Sequence, residues 1–157
     1  MPEKGVTDER PSRRNRPVRY RHAPAELVQR AARRVVRGGR ATFPSQAAFR
    51  AALLEQIRRD EPLAVVGGRR LRRLLIGVPG VRMSVHYTER HDRRPLTDCP
   101  VCGSELAPIH NRTLGGETIV LGQRCTLCDY WTHAERRVPV RYVFSQAGID
   151  GRRVPRP

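Results

Sequence analysis

The stretch Cys99–Cys128 begins with C-P-V-C at 99–102 and ends with C-T-L-C at 125–128. These two motifs hold all four cysteines of the chain. Two residues between cysteines allow one tight turn to direct both thiolates at a single ion, and two such turns complete a tetrahedron. The sequence therefore predicts one structural Zn²⁺, with four ligands: Cys99, Cys102, Cys125 and Cys128.

Other uses of paired cysteines compete with this prediction. Two disulfides would need an oxidising compartment, and the N-terminus shows no signal-peptide pattern, so we expect a reducing, cytoplasmic setting. A redox role is open to any Cys-x-x-Cys, but two symmetric pairs favour a metal. A catalytic zinc needs an open coordination position, which four thiolates would close. The motif thus predicts a structural site rather than an active site.

The spacer between the two pairs predicts a β-hairpin. Gly115-Gly116 is typical of a turn, and the apolar residues that follow, up to Gln123, favour a strand. A further strand is expected at 130–132. The two Cys-x-x-Cys turns, called the first and second knuckles below, are joined by a hairpin and resemble a zinc ribbon over about 97–137. This resemblance implies that the protein takes part in nucleic-acid machinery. Tyr130 and Trp131 would either cover the zinc site or stack on bases or a partner.

Composition indicates a basic protein with a modest core. The chain has 157 residues, 38% hydrophobic and 5% aromatic, enough for one compact domain or two small ones. It carries 31 basic residues, of which only Lys4 is lysine, against 15 acidic residues, for a net charge of +16. Such a charge attracts polyanions, because phosphate contacts release counterions. We expect a nucleic-acid partner and no membrane.

The N-terminal part predicts an arm and two helices. Residues 1–22 are expected to be a disordered basic arm, which either settles on phosphates or stays solvated. Helix one is predicted over 24–37. After a short extended piece at 41–43, helix two is capped by Ser45 and ends before Pro62. Its apolar stripe is predicted at four positions: Phe49, Ala52, Leu53 and Ile57.

A third predicted helix, after Gly67-Gly68, has a dense basic side. Its leucines at 71, 74 and 75 cluster on one side. The other side and flank carry Arg69, Arg70, Arg72 and Arg73. Ile76 also falls on the basic side. Such a helix suits a nucleic-acid groove, and the alternative is an ordinary amphipathic helix with a solvated basic face.

A half-buried strand is predicted at 81–88, with Arg82 facing outward toward nucleic acid. The element order over 23–90 resembles a winged helix-turn-helix. Residues 91–98 are expected to be a linker, 99–146 the zinc ribbon with a last strand near an edge, and 147–157 a flexible tail. The predicted fold class is α+β, with a small winged helix-turn-helix-like domain followed by a zinc-ribbon β module. The arrangement also resembles small archaeal proteins that pair these two modules.

Three functions follow as hypotheses. The first is a DNA-binding, transcription-type regulator, in which Arg69, Arg72 and Arg73 enter a major groove. The second is a ribosome-associated protein that binds rRNA by charge and shape. The third is an interaction module that docks on a polymerase or another nucleic-acid machine. No nucleophile with an oriented base, phosphate loop or small-molecule site is evident, so we expect no enzyme.

Overall fold

A computed structural model describes residues 19–38, 42–91, 96–133 and 135–148. Most of the predicted arm, the middle of the predicted linker and most of the predicted tail lie outside these residues. Within them the chain forms helices and small sheets, which confirms the α+β class. The helices are α1 (Ala25–Arg37), α2 (Gln46–Ile57) and α3 (Gly68–Leu75). The strands are β1 (Arg21–His22), β2 (Thr42–Phe43), β3 (Ala64–Val65), β4 (Val81–Arg90), β5 (Leu106–Arg112), β6 (Thr118–Cys125), β7 (Trp131–Thr132) and β8 (Arg136–Gln146).

The three helices form at the predicted positions because their apolar residues recur at helical spacing. Each helix buries one side in a shared core with Phe43 and Phe144. Phe49 of α2 stacks on Phe144 of β8, with ring centroids 4.4 Å apart. The buried helical residues are Val28, Ala31, Ala32, Val36, Phe49, Leu53, Ile57, Leu71 and Leu75. This core fixes the position of α3, and with it the arginines of that helix.

Ser45 caps α2 as predicted, because its hydroxyl oxygen accepts a hydrogen bond from the Ala48 amide at 3.2 Å. Ser45→Ala should therefore lower the free energy of unfolding by about 1 kcal/mol. Ser45→Asp should retain most of that stability, since its carboxylate can accept the same bond. Urea denaturation of the zinc-loaded chain measures both effects. Equal losses in the two variants would contradict a capping role.

A three-stranded sheet in the order β2-β8-β4 connects the two predicted domains. β8 pairs antiparallel with β4 along its length, from Val81 opposite Gln146 to Arg90 opposite Arg136. The sequence predicted that this last strand belongs to the zinc ribbon at 99–146. That prediction is wrong, because β8 completes the sheet that begins with β4. Strands from both sides of the boundary predicted at 91–98 therefore belong to one sheet.

The inner face of this sheet supports two apolar clusters. At one end Val81, Met83 and Phe144 pack with the helices. At the other end Val85 and Tyr87 pack against the cysteines. Met83 and Tyr142 contact both clusters. The helical part and the cysteine-containing part thus rest on one sheet.

A second three-stranded sheet has the order β5-β6-β7. β5 and β6 form the predicted hairpin, closed by the amide of Thr113 donating to the Glu117 carbonyl at 2.8 Å. β7 pairs with β6 only at Gln123 and Arg124. Gly122 allows the two strands to approach, because a Cβ there would lie 1.9 Å from the Thr132 carbonyl oxygen. Across the described ranges, no helix is long and apolar enough to cross a membrane.

Candidate metal centre

Two tight turns bring the four cysteines together. In the first, the Gly103 amide donates to the Cys99 carbonyl at 2.8 Å, and Gly103 has a φ of +74°. In the second, the Cys125 amide donates to the Tyr130 carbonyl at 2.8 Å. The amide of Thr126 donates to the Glu105 carbonyl at 3.1 Å, which ties the second turn to the start of the hairpin. The sequence places both turns because each has only two residues between its cysteines.

The sulfur positions suit one tetrahedral ion. Cys99 Sγ lies 3.6 Å from Cys128 Sγ, and Cys102 Sγ lies 3.4 Å from Cys125 Sγ. All four sulfurs lie within 4.8 Å of one another. A Zn–S distance of about 2.3 Å implies an S···S separation of about 3.8 Å in a tetrahedron. The four cysteines thus form a plausible single structural zinc site, as predicted.

Electrostatics of the cluster also favour a bound cation. The hydrogen bond with Cys128 lowers the pKa of the Cys99 thiol to about 5. The same bond, together with burial, raises the pKa of the Cys128 thiol. Thiolates this close repel one another unless a cation neutralises them. The amides of Leu127 and Cys128 each lie 3.3 Å from Cys125 Sγ and orient that ligand.

Cys99, Cys102 and Cys125 are buried, while Cys128 is partly buried. A set of four soft thiolates matches Zn²⁺ and closes its coordination shell. The four cysteines therefore fit a structural zinc ion. When bound, such an ion would crosslink the two knuckles and would not present an open position for chemistry.

Tyr130 covers the cysteine cluster, which is one of the two roles predicted for it. It is 1% exposed and packs with Cys99, Cys102 and Cys125. Its hydroxyl donates to the Arg137 carbonyl at 2.7 Å, and burial raises the pKa of Tyr130. This hydrogen bond joins residues 96–133, called the ribbon below, to β8.

Trp131 has a different environment from Tyr130. It is partly buried, and its ring lies 4.4 Å from the guanidinium carbon of Arg137. The same guanidinium carbon lies 4.3 Å from the centroid of the Tyr87 ring. A cation close to two aromatic rings is attracted by both. Trp131 therefore contributes to the junction between β4, β7 and β8.

Arg72 connects α3 to the first zinc knuckle. Its Nε donates to the carbonyl of Val101, which is 1% exposed. Its Nη1 donates to the Gln46 side-chain oxygen at 2.6 Å. The guanidinium carbon also lies 4.2 Å from the centroid of the Tyr142 ring. One side chain thus joins α2, α3, the knuckle and β8.

Two neighbours of Arg72 on the same side of α3 also face the knuckle. A Cβ built on Gly103 would lie 2.7 Å from Cδ of Arg69, so the arginine side chain passes close over that glycine. Ile76 packs against the cysteine cluster. The face of α3 predicted to enter a nucleic-acid groove is therefore partly covered by the zinc knuckle.

The predicted nucleic-acid residues thus divide into two groups. Arg70 and Arg72 are engaged within the protein, since Arg70 Nη1 donates to the Ala23 carbonyl at 2.6 Å. Both residues therefore have a structural role, and their contact with nucleic acid stays a prediction. Arg69, Arg73 and Arg82 are exposed, and their role stays a prediction.

The sheet has a basic surface of which the sequence predicted only the β4 part, with Arg82. The outer face of β2, β8 and β4 is the face opposite the helices. The pairing places Arg82 opposite Ser145 and His86 opposite Arg141. Thr42 lies on the other side of Ser145. This outer face is formed by Thr42, Arg82, Ser84, His86, Arg141, Val143 and Ser145. The alternation of residues 82, 84 and 86 was visible in the sequence, but the partner strand was not.

No protein-family model, no curated protein and no solved structure matches this chain significantly. The class of the protein follows from its own geometry. It is an α+β protein with a four-cysteine site suited to zinc, and this site is consistent with a zinc ribbon.

Proposed function

We propose that this chain is a non-enzymatic, zinc-stabilised protein that binds the phosphate backbone of nucleic acid, with structured RNA as its favoured target. The observation that carries the proposal is the outer face of the sheet. Arg82, His86 and Arg141 are exposed there, and the hydroxyl groups of Thr42, Ser84 and Ser145 lie among them. Guanidinium and hydroxyl groups are common donors to phosphate oxygens.

The charge of the whole chain supports the same proposal. A net charge of +16 draws the protein to any polyanion. Residues 23–90 carry 14 basic and 5 acidic side chains, so the basic excess is concentrated in the part that contains α3 and β4. Contacts to phosphate position a protein on nucleic acid without reading its sequence.

The packing of α3 favours backbone contact over groove reading. Arg72 donates a hydrogen bond to the carbonyl of Val101 within the protein, and the Arg69 side chain lies close over Gly103. A helix covered on this side cannot present its full arginine row to a major groove. Since structured RNA is bound largely through shape and phosphate contacts, RNA fits this geometry better than a DNA operator does.

A second candidate is sequence-specific DNA binding of the winged helix-turn-helix type. Arg73 and Arg69 are exposed on α3 and support it. The two candidates differ in their expected specificity. An in vitro selection from random duplex DNA that returns a consensus sequence would favour the second candidate.

The double variant Arg82→Glu/Arg141→Glu should weaken binding to duplex RNA and reduce the salt slope of log K by roughly 1–2. The reason is the loss of phosphate contacts on the outer face. Fluorescence anisotropy at several salt concentrations, with random duplex RNA and duplex DNA as probes, measures both quantities.

The matched control is Arg50→Glu/Arg59→Glu, which makes the same change of charge at α2 and the turn after it, where both residues are exposed. If long-range charge alone governs binding, the two double variants will lose affinity equally. That result would overturn the assignment of the outer face. A zinc-loaded wild type with no affinity for either duplex would overturn the proposed function itself.

A further inference from the structure

The distal half of the β5–β6 hairpin is open to solvent on both faces. Leu114 in the turn is fully exposed. Ile119, Val120 and Leu121 are exposed by 41%, 62% and 38%. Since successive residues of a strand point to opposite faces, apolar side chains occupy both sides of the hairpin. A soluble β-hairpin ordinarily alternates apolar and polar residues, so this run points to a contact surface.

The charge of this segment differs from that of the rest of the chain. Between Arg112 and Arg124, residues 113–123 contain no basic side chain, and Glu117 is their single charge. The chain as a whole carries +16. Two copies of the chain therefore repel each other over most of their surfaces. They can approach at the hairpin end, where this repulsion is smallest.

The hairpin also has one unprotected edge. β6 pairs with β7 only at Gln123 and Arg124, and Thr118–Leu121 has no further strand partner among the residues that the structure describes. Native edge strands are usually protected by charges or proline. The outer edge of β5 has both, with Pro108 and Arg112. Thr118–Leu121 has neither.

We propose that the distal hairpin is a self-association surface, through which two copies of this chain form a weak dimer. Thr118–Leu121 of the two copies pair antiparallel about a two-fold axis, with Thr118 opposite Leu121 and Ile119 opposite Val120. Because β5 is protected, the hairpin of each copy has one pairing edge, and association through the hairpin closes at two copies instead of continuing into fibres. The surface lies apart from the outer face of the sheet, so this inference does not depend on the proposed function.

The size of the surface sets the expected affinity. Stable interfaces bury about 800 Å² on each partner, and four apolar side chains at the end of a hairpin bury a smaller area. We therefore expect dissociation constants in the range of roughly 10 µM to 1 mM. Salt should strengthen the dimer, because it screens the repulsion between two positively charged copies. Association bridged by nucleic acid would show the opposite dependence.

Sedimentation velocity on the full-length, nuclease-treated, zinc-loaded chain tests this inference over concentrations that span the expected range. Val120→Asp should weaken dimerisation by at least about tenfold, since it places a charge beside the apolar side chain of Ile119 of the other copy. The matched control is Val140→Asp on β8, because Val140 is 60% exposed, nearly as much as Val120. The control should dimerise like the wild type.

A wild type that remains monomeric at every concentration and salt would overturn the proposal, and would point to a different protein as the occupant of the hairpin. Equal effects of Val120→Asp and Val140→Asp would also overturn it. Zinc content and circular dichroism show whether each variant folds. If Val120→Asp fails this check, Leu114→Asp replaces it, because Leu114 lies in the turn and is fully exposed.

Discussion

Removal of zinc is expected to abolish the fixed structure of residues 96–133 while α1 and α2 stay helical. The ribbon buries only a small apolar cluster around its cysteines, so the metal must supply most of its folding free energy, about 10–16 kcal/mol in comparable zinc peptides. The helices have their own core around Phe49 and Phe144. Cys102→Ser should have the same consequence as a chelator. Loss of this ligand should lower zinc affinity by more than the roughly 10–100-fold that follows when a group that hydrogen-bonds a metal ligand is removed.

Two measurements detect the loss of fixed structure in residues 96–133. Trp131 is the single tryptophan of the chain and lies directly beyond the second knuckle, so its fluorescence reports on the ribbon. Hydrogen exchange should accelerate throughout 96–133, rise moderately in α3, and change little in α1 and α2. The intermediate response of α3 is expected because Arg72 and Ile76 contact the knuckle.

Thr126→Ser is the control for the cysteine variant, since it changes a residue beside Cys125 and keeps the hydroxyl that donates to Glu105. It should bind zinc with unchanged 1:1 stoichiometry. Full protection of the ribbon after verified removal of zinc would contradict the structural role of the metal. Collapse of α1 and α2 would contradict the independence of the helical core.

Much of the local structure could be predicted because it depends on local chemistry. The cysteine spacing predicted the metal ligands, Ser45 predicted the start of α2, and Gly115-Gly116 predicted the hairpin turn. The two cysteines of each pair, the cap and the turn each involve residues within a few positions of one another. Residues distant in the sequence were not needed to predict these elements.

The pairing of β8 with β4 could not be predicted in this way. The two strands are separated by the whole ribbon, and an alternating pattern identifies a strand without identifying its partner. β8 also contains Pro139, and a proline within a strand favours an edge position. The sheet order places β8 between β2 and β4, but β2 reaches only Phe144 and Ser145. Pro139 therefore lies where β8 has a single partner, beside the bulge at Tyr87.

Ile76 was the sequence signal that the basic side of α3 has a second role. An apolar residue on a cationic face has no reason to be there if the face is only solvated or placed on phosphate. The structure supplies the reason, since Ile76 packs against the cysteine cluster. Arg72, one helical turn earlier, reaches the same knuckle. Residue type alone did not distinguish this arginine from Arg73, whose side chain is exposed.

Arg72→Ala is expected to lower the free energy of unfolding of the zinc-loaded chain by about 2–4 kcal/mol. The substitution removes two charge-assisted hydrogen bonds and the cation–π contact with Tyr142. It also leaves the carbonyl of Val101 without this donor in a buried position. Urea denaturation at a fixed zinc concentration gives the change from the transition midpoint.

Arg73→Ala is the matched control, because Arg73 is the next residue of the same helix and is exposed. Its effect should stay within about 0.5 kcal/mol. Arg72→Lys should recover little of the loss, since one ammonium group cannot hold the geometry of a planar guanidinium that donates twice and stacks on a ring. A lysine that restores full stability would mean that positive charge alone is needed at this position. Equal stability of the two alanine variants would mean that Arg72 does not join α3 to the knuckle, and the arginine face of α3 would again be available for nucleic acid.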